Sequence, residues 1–360
     1  MVVIDENKLL QGEICFLGAI SQLFRNYEKE LPEEVVYGLG FGLGFRCKKE
    51  WDTSIDINCV DLISDYDTYR SFFYDIDCDV DVKMYDDFFM FKQYIDGKSG
   101  ESFLVTVDTY YLPYSNTYGI SHDAHVVVLS KIEDKEYVVQ DCYVSAVVPG
   151  KIITQLSEAE LEKCCNIANR GNEKKYLLWS FAVGDYLGRI EKSYVKERIT
   201  YLDELVLHVE TNEYVHGEKG LDELLLKFKT FEKNNFGSSD VLLQINRKIS
   251  ANGGLYQTRK LYGRFVNWLF HNQIIDNNKK QIASEVSNRF IEISNNWKII
   301  STIILKAAVL KRVPNWDNII RRCERNIKDE KEAYHMLIDL INTNKEEMCK
   351  NITSGKYPTH

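Results

Sequence analysis

The chain has 360 residues, 44% hydrophobic and 12% aromatic, enough apolar material for one large or two ordinary domains and too much for a disordered chain. Its 54 acidic and 45 basic residues leave a net charge of −9, which argues against an unaided nucleic-acid binder, since those carry a basic excess. Nine cysteines stand at irregular spacings with no CxxC pair, which excludes a zinc ribbon or a thioredoxin motif.

The first ten residues, MVVIDENKLL, lack the basic and then apolar pattern of a signal peptide, so the expected compartment is the cytoplasm, with reduced thiols. Gln11-Gly12-Glu13-Ile14-Cys15 then reads as a loop that delivers a cysteine to the first turn of a helix. Leu17, Ile20, Leu23, Phe24 and Tyr27 recur at steps of three and four, one apolar stripe of an amphipathic helix. Unpaired N–H groups and the macrodipole at a helix N-terminus favour an anion, so a thiolate is expected to be stabilised there. Cys15 is therefore a candidate nucleophile; the competing reading is a small buried hydrophobe.

Pro32 followed by Glu33 and Glu34 marks a second helix start. Gly38, Gly40, Gly42 and Gly44 alternate with Leu and Phe but lack the Lys-Ser/Thr of a phosphate loop. They read as backbone packed closely beside another element. Asp75-Ile76-Asp77-Cys78-Asp79-Val80-Asp81-Val82 resembles a calcium loop only superficially, because valine stands where the sharp turn needs glycine. Its period of two predicts a strand with Ile76, Cys78, Val80 and Val82 facing a core.

Three strands follow: Ser102 to Asp108, His125 to Leu129, and Glu136 to Gln140, with a turn at Lys131 to Lys135. Between the first two lies an aromatic loop with Tyr110, Tyr111, Pro113 and Tyr114. The last two strands predict an antiparallel hairpin that makes His125, at one strand's start, the neighbour of Asp141, just past the other's end. A carboxylate that orients an imidazole, and an imidazole that takes a thiol proton, make a Cys15-His125-Asp141 triad. His122 is the competing base, three residues earlier in the loop.

Past Pro149-Gly150 the strand pattern stops. Ser157-Glu158-Ala159-Glu160 is a capping box opening a helix through Cys164 and Cys165. Helical periodicity continues over 200–209, 221–231, 241–249, 259–270, 282–307, 316–327 and 330–344, with loops at Gly217 to Gly220, Asn235 to Ser239 and Asn252-Gly253-Gly254. Ile299 to Val309 is the most apolar late segment; it is short and carries Lys306, so it reads as a buried helix and no membrane partner is expected. Arg312, Arg321, Arg322, Arg325 and Lys328 form a late basic cluster, a solvated helix face or a docking face for an acidic partner. The expected division is a domain over 1–152 and a helical domain over 153–360.

Several of these motifs resemble the butirosin H family. They are Gly12-x-x-Cys15 with its helix, Glu34-x-x-Tyr37-Gly38 with the glycine run to Phe45, Val107-Asp108-x-Tyr110-Tyr111-Leu112-Pro113-Tyr114, His125-x-Val127-Val128, and Asp141. Asn252-Gly253-Gly254-Leu255-Tyr256-Gln257-Thr258-Arg259, Tyr262, Phe265 and Trp297 resemble the domain often fused to it. The resemblance implies an α+β, papain-like fold followed by a mainly helical domain. It implies a cysteine-dependent acyltransferase with Cys15, His125 and Asp141 as its triad. Such an enzyme moves an acyl group from the phosphopantetheine thioester of a carrier protein to a small amine, in natural-product assembly. Gln11 is the residue it offers to the oxyanion hole, at a spacing to Cys15 shorter than papain-like enzymes use. The low-G+C composition suggests a second relative, the amide-forming cysteine-protease homologue of closthioamide assembly. No cofactor or metal is implied. A cysteine peptidase or thioesterase, and an inactive carrier-binding scaffold, stay open as alternatives.

Overall fold

The computed structural model describes residues 6–51, 57–59, 66–132, 136–144, 150–167, 175–184, 190–206, 211–234, 236–251 and 253–353. In chain order the elements are α1 (Cys15–Asn26), α2 (Glu33–Gly40), β1 (Arg46–Lys48), β2 (Ile57–Asn58), α3 (Tyr66–Asp75), β3 (Cys78–Tyr85), α4 (Phe88–Asp96), β4 (Ser102–Asp108), β5 (Ala124–Ile132), β6 (Glu136–Val144), β7 (Gly150–Leu156), α5 (Glu158–Cys165), β8 (Tyr176–Val183), α6 (Lys192–Val206), β9 (Tyr214–His216), α7 (Gly217–Lys233), α8 (Ser239–Ser250), α9 (Leu255–His271), α10 (Lys280–Val309) and α11 (Trp316–Thr353). The class is α+β, as the family resemblance implies. Two compact units form: Met1–Val36 with Tyr69–Arg189, and Tyr37–Thr68 with Ile190–His360. The expected cut between 152 and 153 differs from this division, because the strands do not stop at Gly150.

The first unit is built on a six-stranded antiparallel sheet in the order β3-β8-β4-β5-β6-β7. Helix α1 packs on it through its apolar stripe; Leu17, Ile20, Leu23 and Phe24 are fully buried. Each such side chain contributes about 1.5–3 kcal/mol on leaving water. A polar seam fixes the helix's far end. Asn26 Nδ2 donates to Gln140 Oε1 at 2.6 Å and to Ser102 Oγ at 3.1 Å, and the Ser102 and Ser130 hydroxyls lie 2.6 Å apart. A second apolar cluster joins β4, β5 and β6 to α4 and α5 through Phe103, Val105, Val127, Leu129, Phe91 and Leu161.

The alternation expected at 76–82 holds for Ile76, Cys78 and Val80, which are buried, while Val82 is half-buried. Asp79 and Asp81 face water. The capping box forms: Ser157 N–H donates to Glu160 Oε2 at 2.8 Å, and Glu160 N–H to Ser157 Oγ at 3.4 Å. Cys164 and Cys165, at the end of that helix, are free thiols. Residues 133–135 of the expected hairpin turn lie outside the described residues.

The second unit has a small sheet in the order β2-β1-β9, with helices α6 to α11. Residues 316–327 and 330–344, expected as two helices, are one helix, α11. Gly217 to Gly220, expected as a loop, is the first turn of α7. The glycine run behaves as close-packed backbone: a Cβ on Gly38 would come within 2.3 Å of the Phe265 ring. Arg259 is fully buried and donates through Nε to Glu330 Oε1 at 2.9 Å. Trp297 is fully buried on α10. Asn252 lies outside the described residues, and Gly253 donates its N–H to Gln257 Oε1 at 2.9 Å. In the late basic cluster Arg312, Arg321, Arg325 and Lys328 are exposed and Arg322 is half-buried. No helix among the described residues is long and apolar enough to cross a membrane.

Candidate active site

Cys15 is the first residue of α1 and is partly exposed. Ile14 precedes it in an extended conformation and gives the helix no side-chain cap. Other residues fasten the approach. Gly12 donates its N–H to the Cys142 carbonyl at 2.8 Å. Glu13 donates its N–H to both Glu33 carboxylate oxygens, at 2.9 and 3.1 Å, and Ile14 donates to Glu33 Oε1 at 2.7 Å. Gly12 and Gly18 touch backbone to backbone; a Cβ on either would lie 2.9–3.0 Å from the other's Cα. Burial pushes the Glu33 carboxyl up to about 8, against the pull of its N–H donors.

His125 stands near the start of β5, opposite Val107 of β4, and is buried. Its Nε2 lies 2.9 Å from Asp141 Oδ2. Asp141 is inside β6, not past its end as the hairpin reading had it, because that strand runs on to Val144. Its Oδ1 accepts the Tyr143 N–H at 2.9 Å, so both carboxylate oxygens are engaged. The Cys15 side chain lies close enough to the same imidazole to act on its charge. Because Nε2 faces Asp141, Nδ1 is the nitrogen left for the sulfur. Burial alone would lower the pKa of His125; the Asp141 carboxylate and the Cys15 sulfur outweigh it and raise it to about 10.

A second Asp–His pair exists. His122 Nδ1 lies 2.6 Å from Asp108 Oδ2, and Asp108 Oδ1 accepts the Tyr110 N–H at 3.0 Å. The His122 ring stacks on Tyr110 with centroids 4.2 Å apart. Its side chain is 45% exposed against 11% for His125, so the two imidazoles occupy different environments. Cys15, His125 and Asp141 come together; His122 belongs to the second pair. Gln11 stands exposed four residues before the cysteine. No group of His, Cys, Asp or Glu among the described residues could hold a metal ion. Sequence reasoning took Glu33 for a helix-start acid and missed its grip on the cysteine loop. A buried glutamate after Pro32 leaves no local signal of a partner some 20 residues away.

The stretch holding all three grouped side chains begins just before Cys15 and ends just after Asp141. Residues 14–142 match the family Butirosin biosynthesis protein H, N-terminal. The resemblance carried by the sequence motifs is thus to the family whose model matches here. The butirosin H match takes in α1 to β5 and most of β6, and it ends before β7, α5 and β8. No curated protein matches the chain.

Proposed function

We propose that the chain is a cysteine-dependent acyltransferase that forms an amide between a carrier-bound acyl group and an amine in natural-product assembly. The observation that carries this reading is the grouping of Cys15, His125 and Asp141 inside the stretch that matches a family named for butirosin biosynthesis. A helix-borne cysteine packed on an antiparallel sheet that supplies the imidazole and carboxylate also supports a papain-like catalytic unit.

In this mechanism the Cys15 thiolate attacks the thioester carbonyl of a phosphopantetheine arm. The pantetheine thiol leaves with a proton from His125, giving an acyl-cysteine. The amine then attacks the acyl carbon, His125 takes its proton, and the amide departs as Cys15 is freed. The first N–H groups of a helix have no intrahelical partner, so the Cys15 N–H serves the oxyanion, with the Gln11 side chain as the second donor. Asp141 keeps the imidazole in register. A thioester is easier to open than an amide, so the leaving group needs no further acid.

Intact-protein mass spectrometry with acyl carrier thioesters tests the reading. The expected result is an acyl increment on wild type, absent from Cys15→Ala, with release to product only when an amine is added. Release to water at the same rate without amine would make the protein a thioesterase or peptidase. Full product formation by Cys15→Ala would leave a carrier-binding scaffold.

A further inference from the structure

Glu33 is 8% exposed, and its carboxyl takes hydrogen bonds from the two residues directly before Cys15. Helix starts are ordinarily capped by Ser, Thr, Asp or Asn at the N-cap itself. Here the N-cap is Ile14, itself buried and without a side-chain cap, and a carboxyl from α2, 19 residues on, takes that residue's own N–H. Burial favours the uncharged acid form of this carboxyl, and even an uncharged polar group costs free energy to bury unless fixed donors meet it. Three contacts of 2.7–3.1 Å from two N–H groups meet this one.

The same loop is fastened at its other end. Gly12 is tied to the carbonyl of Cys142, the neighbour of Asp141 on β6. The backbone from Gly12 to Ile14 therefore spans two anchors: the strand that carries the carboxylate of the Asp–His pair, and Glu33. Any slack at the Glu33 end moves the Cys15 sulfur against an imidazole that Asp141 holds in place. The bonds also commit the Glu13 and Ile14 N–H groups, which leaves the Cys15 N–H as the next main-chain donor facing an oxyanion.

We infer that Glu33 is a positioning residue: it holds the Glu13–Ile14 backbone and so sets where the Cys15 sulfur and N–H stand. The inference rests on the reading of Cys15 as nucleophile. Glu33 does not touch substrate; it acts through the loop.

Glu33→Ala and Glu33→Gln test it against wild type, by three readouts. Amide hydrogen exchange follows Glu13 and Ile14, peptide mass spectrometry follows iodoacetamide alkylation of Cys15, and single-turnover acylation uses acetyl-pantetheine. Glu33→Ala is expected to speed exchange at both amides and to slow Cys15 alkylation and acylation about 100-fold, the penalty of misplacing a reacting group by about 1 Å. KM for the thioester should stay within about twofold, because substrate contacts are intact. Glu33→Gln keeps one acceptor oxygen and should fall about tenfold, between the two. Rates within about twofold of wild type in a folded Glu33→Ala overturn the assignment. If that variant does not fold, the same result in Glu33→Gln overturns it. Should acetyl-pantetheine leave wild-type Cys15 unmodified, the acyltransferase reading fails on its own, while alkylation and exchange still decide the role of Glu33.

Discussion

His125 presents Nε2 to Asp141 at 2.9 Å, which leaves Nδ1 as the nitrogen for Cys15 in the proposed chemistry. Asp141 and the sulfur raise the imidazole from 6.5 to about 10, although burial alone would lower it. The folded value lies above the unfolded one. The protonated pair therefore stabilises the fold fully below about 6.5, and its contribution fades as pH climbs toward about 10. In Asp141→Asn the main raising charge is gone and burial dominates. The His125 ring resonances should then titrate at lower pH than in wild type, where the ring stays imidazolium through pH 7–8. Superimposable NMR titrations of the two proteins would reject this electrostatic account.

The two Asp–His pairs can be told apart kinetically. General acid–base groups contribute about 10²–10⁴-fold. His125→Ala should lose that much in single-turnover acylation, while His122→Ala should remain within about threefold of wild type. The opposite pattern would transfer the base role to the His122–Asp108 pair.

Gly18 has no room for a side chain. A Cβ there would lie 3.0 Å from the Gly12 Cα and 3.4 Å from the Cys142 Cβ. Gly18→Ala should therefore push the cysteine loop outward, at a cost of about 1–3 kcal/mol. Urea unfolding measures the loss, and slower Cys15 alkylation in the folded fraction reports the displaced loop. A midpoint equal to wild type would mean the loop yields freely.

In the second unit the Arg259–Glu330 pair is sealed from water, and Glu330 Oε2 has no hydrogen-bond partner among the described residues. Removing one member strands the other's charge, at about 3–5 kcal/mol. Arg259→Met should lower the thermal midpoint markedly, and Arg259→Met/Glu330→Leu should recover part of it. A double variant less stable than Arg259→Met would show that the pair's polar surroundings need Glu330 in its own right.

The local codes were readable where one period repeats or one pair of strands meets. The stripe from Leu17 to Phe24 marked α1, and two strands joined by the turn at Lys131 to Lys135 brought His125 near Asp141. Strand β8 escaped because Tyr176 to Val183 is largely apolar and pairs on both edges, so it lacks the alternation that marks a half-exposed strand. Gly217 and Gly220 suggested a loop, yet the helix begins on them. Gly217 takes a φ of +58°, and a Cβ on Gly220 would meet the Val215 carbonyl oxygen at 2.6 Å. Glu33 was invisible for a different reason: its partners are main-chain groups, which no side-chain pattern encodes.

Strand β8 also sets the smallest piece of this gene worth expressing. It lies between β3 and β4, although the chain makes it some seventy residues after β4. A product ending at residue 152, or trimmed to the matched 14–142, would leave β3 without its neighbour and β4 with a bare ladder of amides and carbonyls. Bare ladders recruit other chains. An insoluble short product would therefore register a lost rung and carry no information about chemistry at the sulfur.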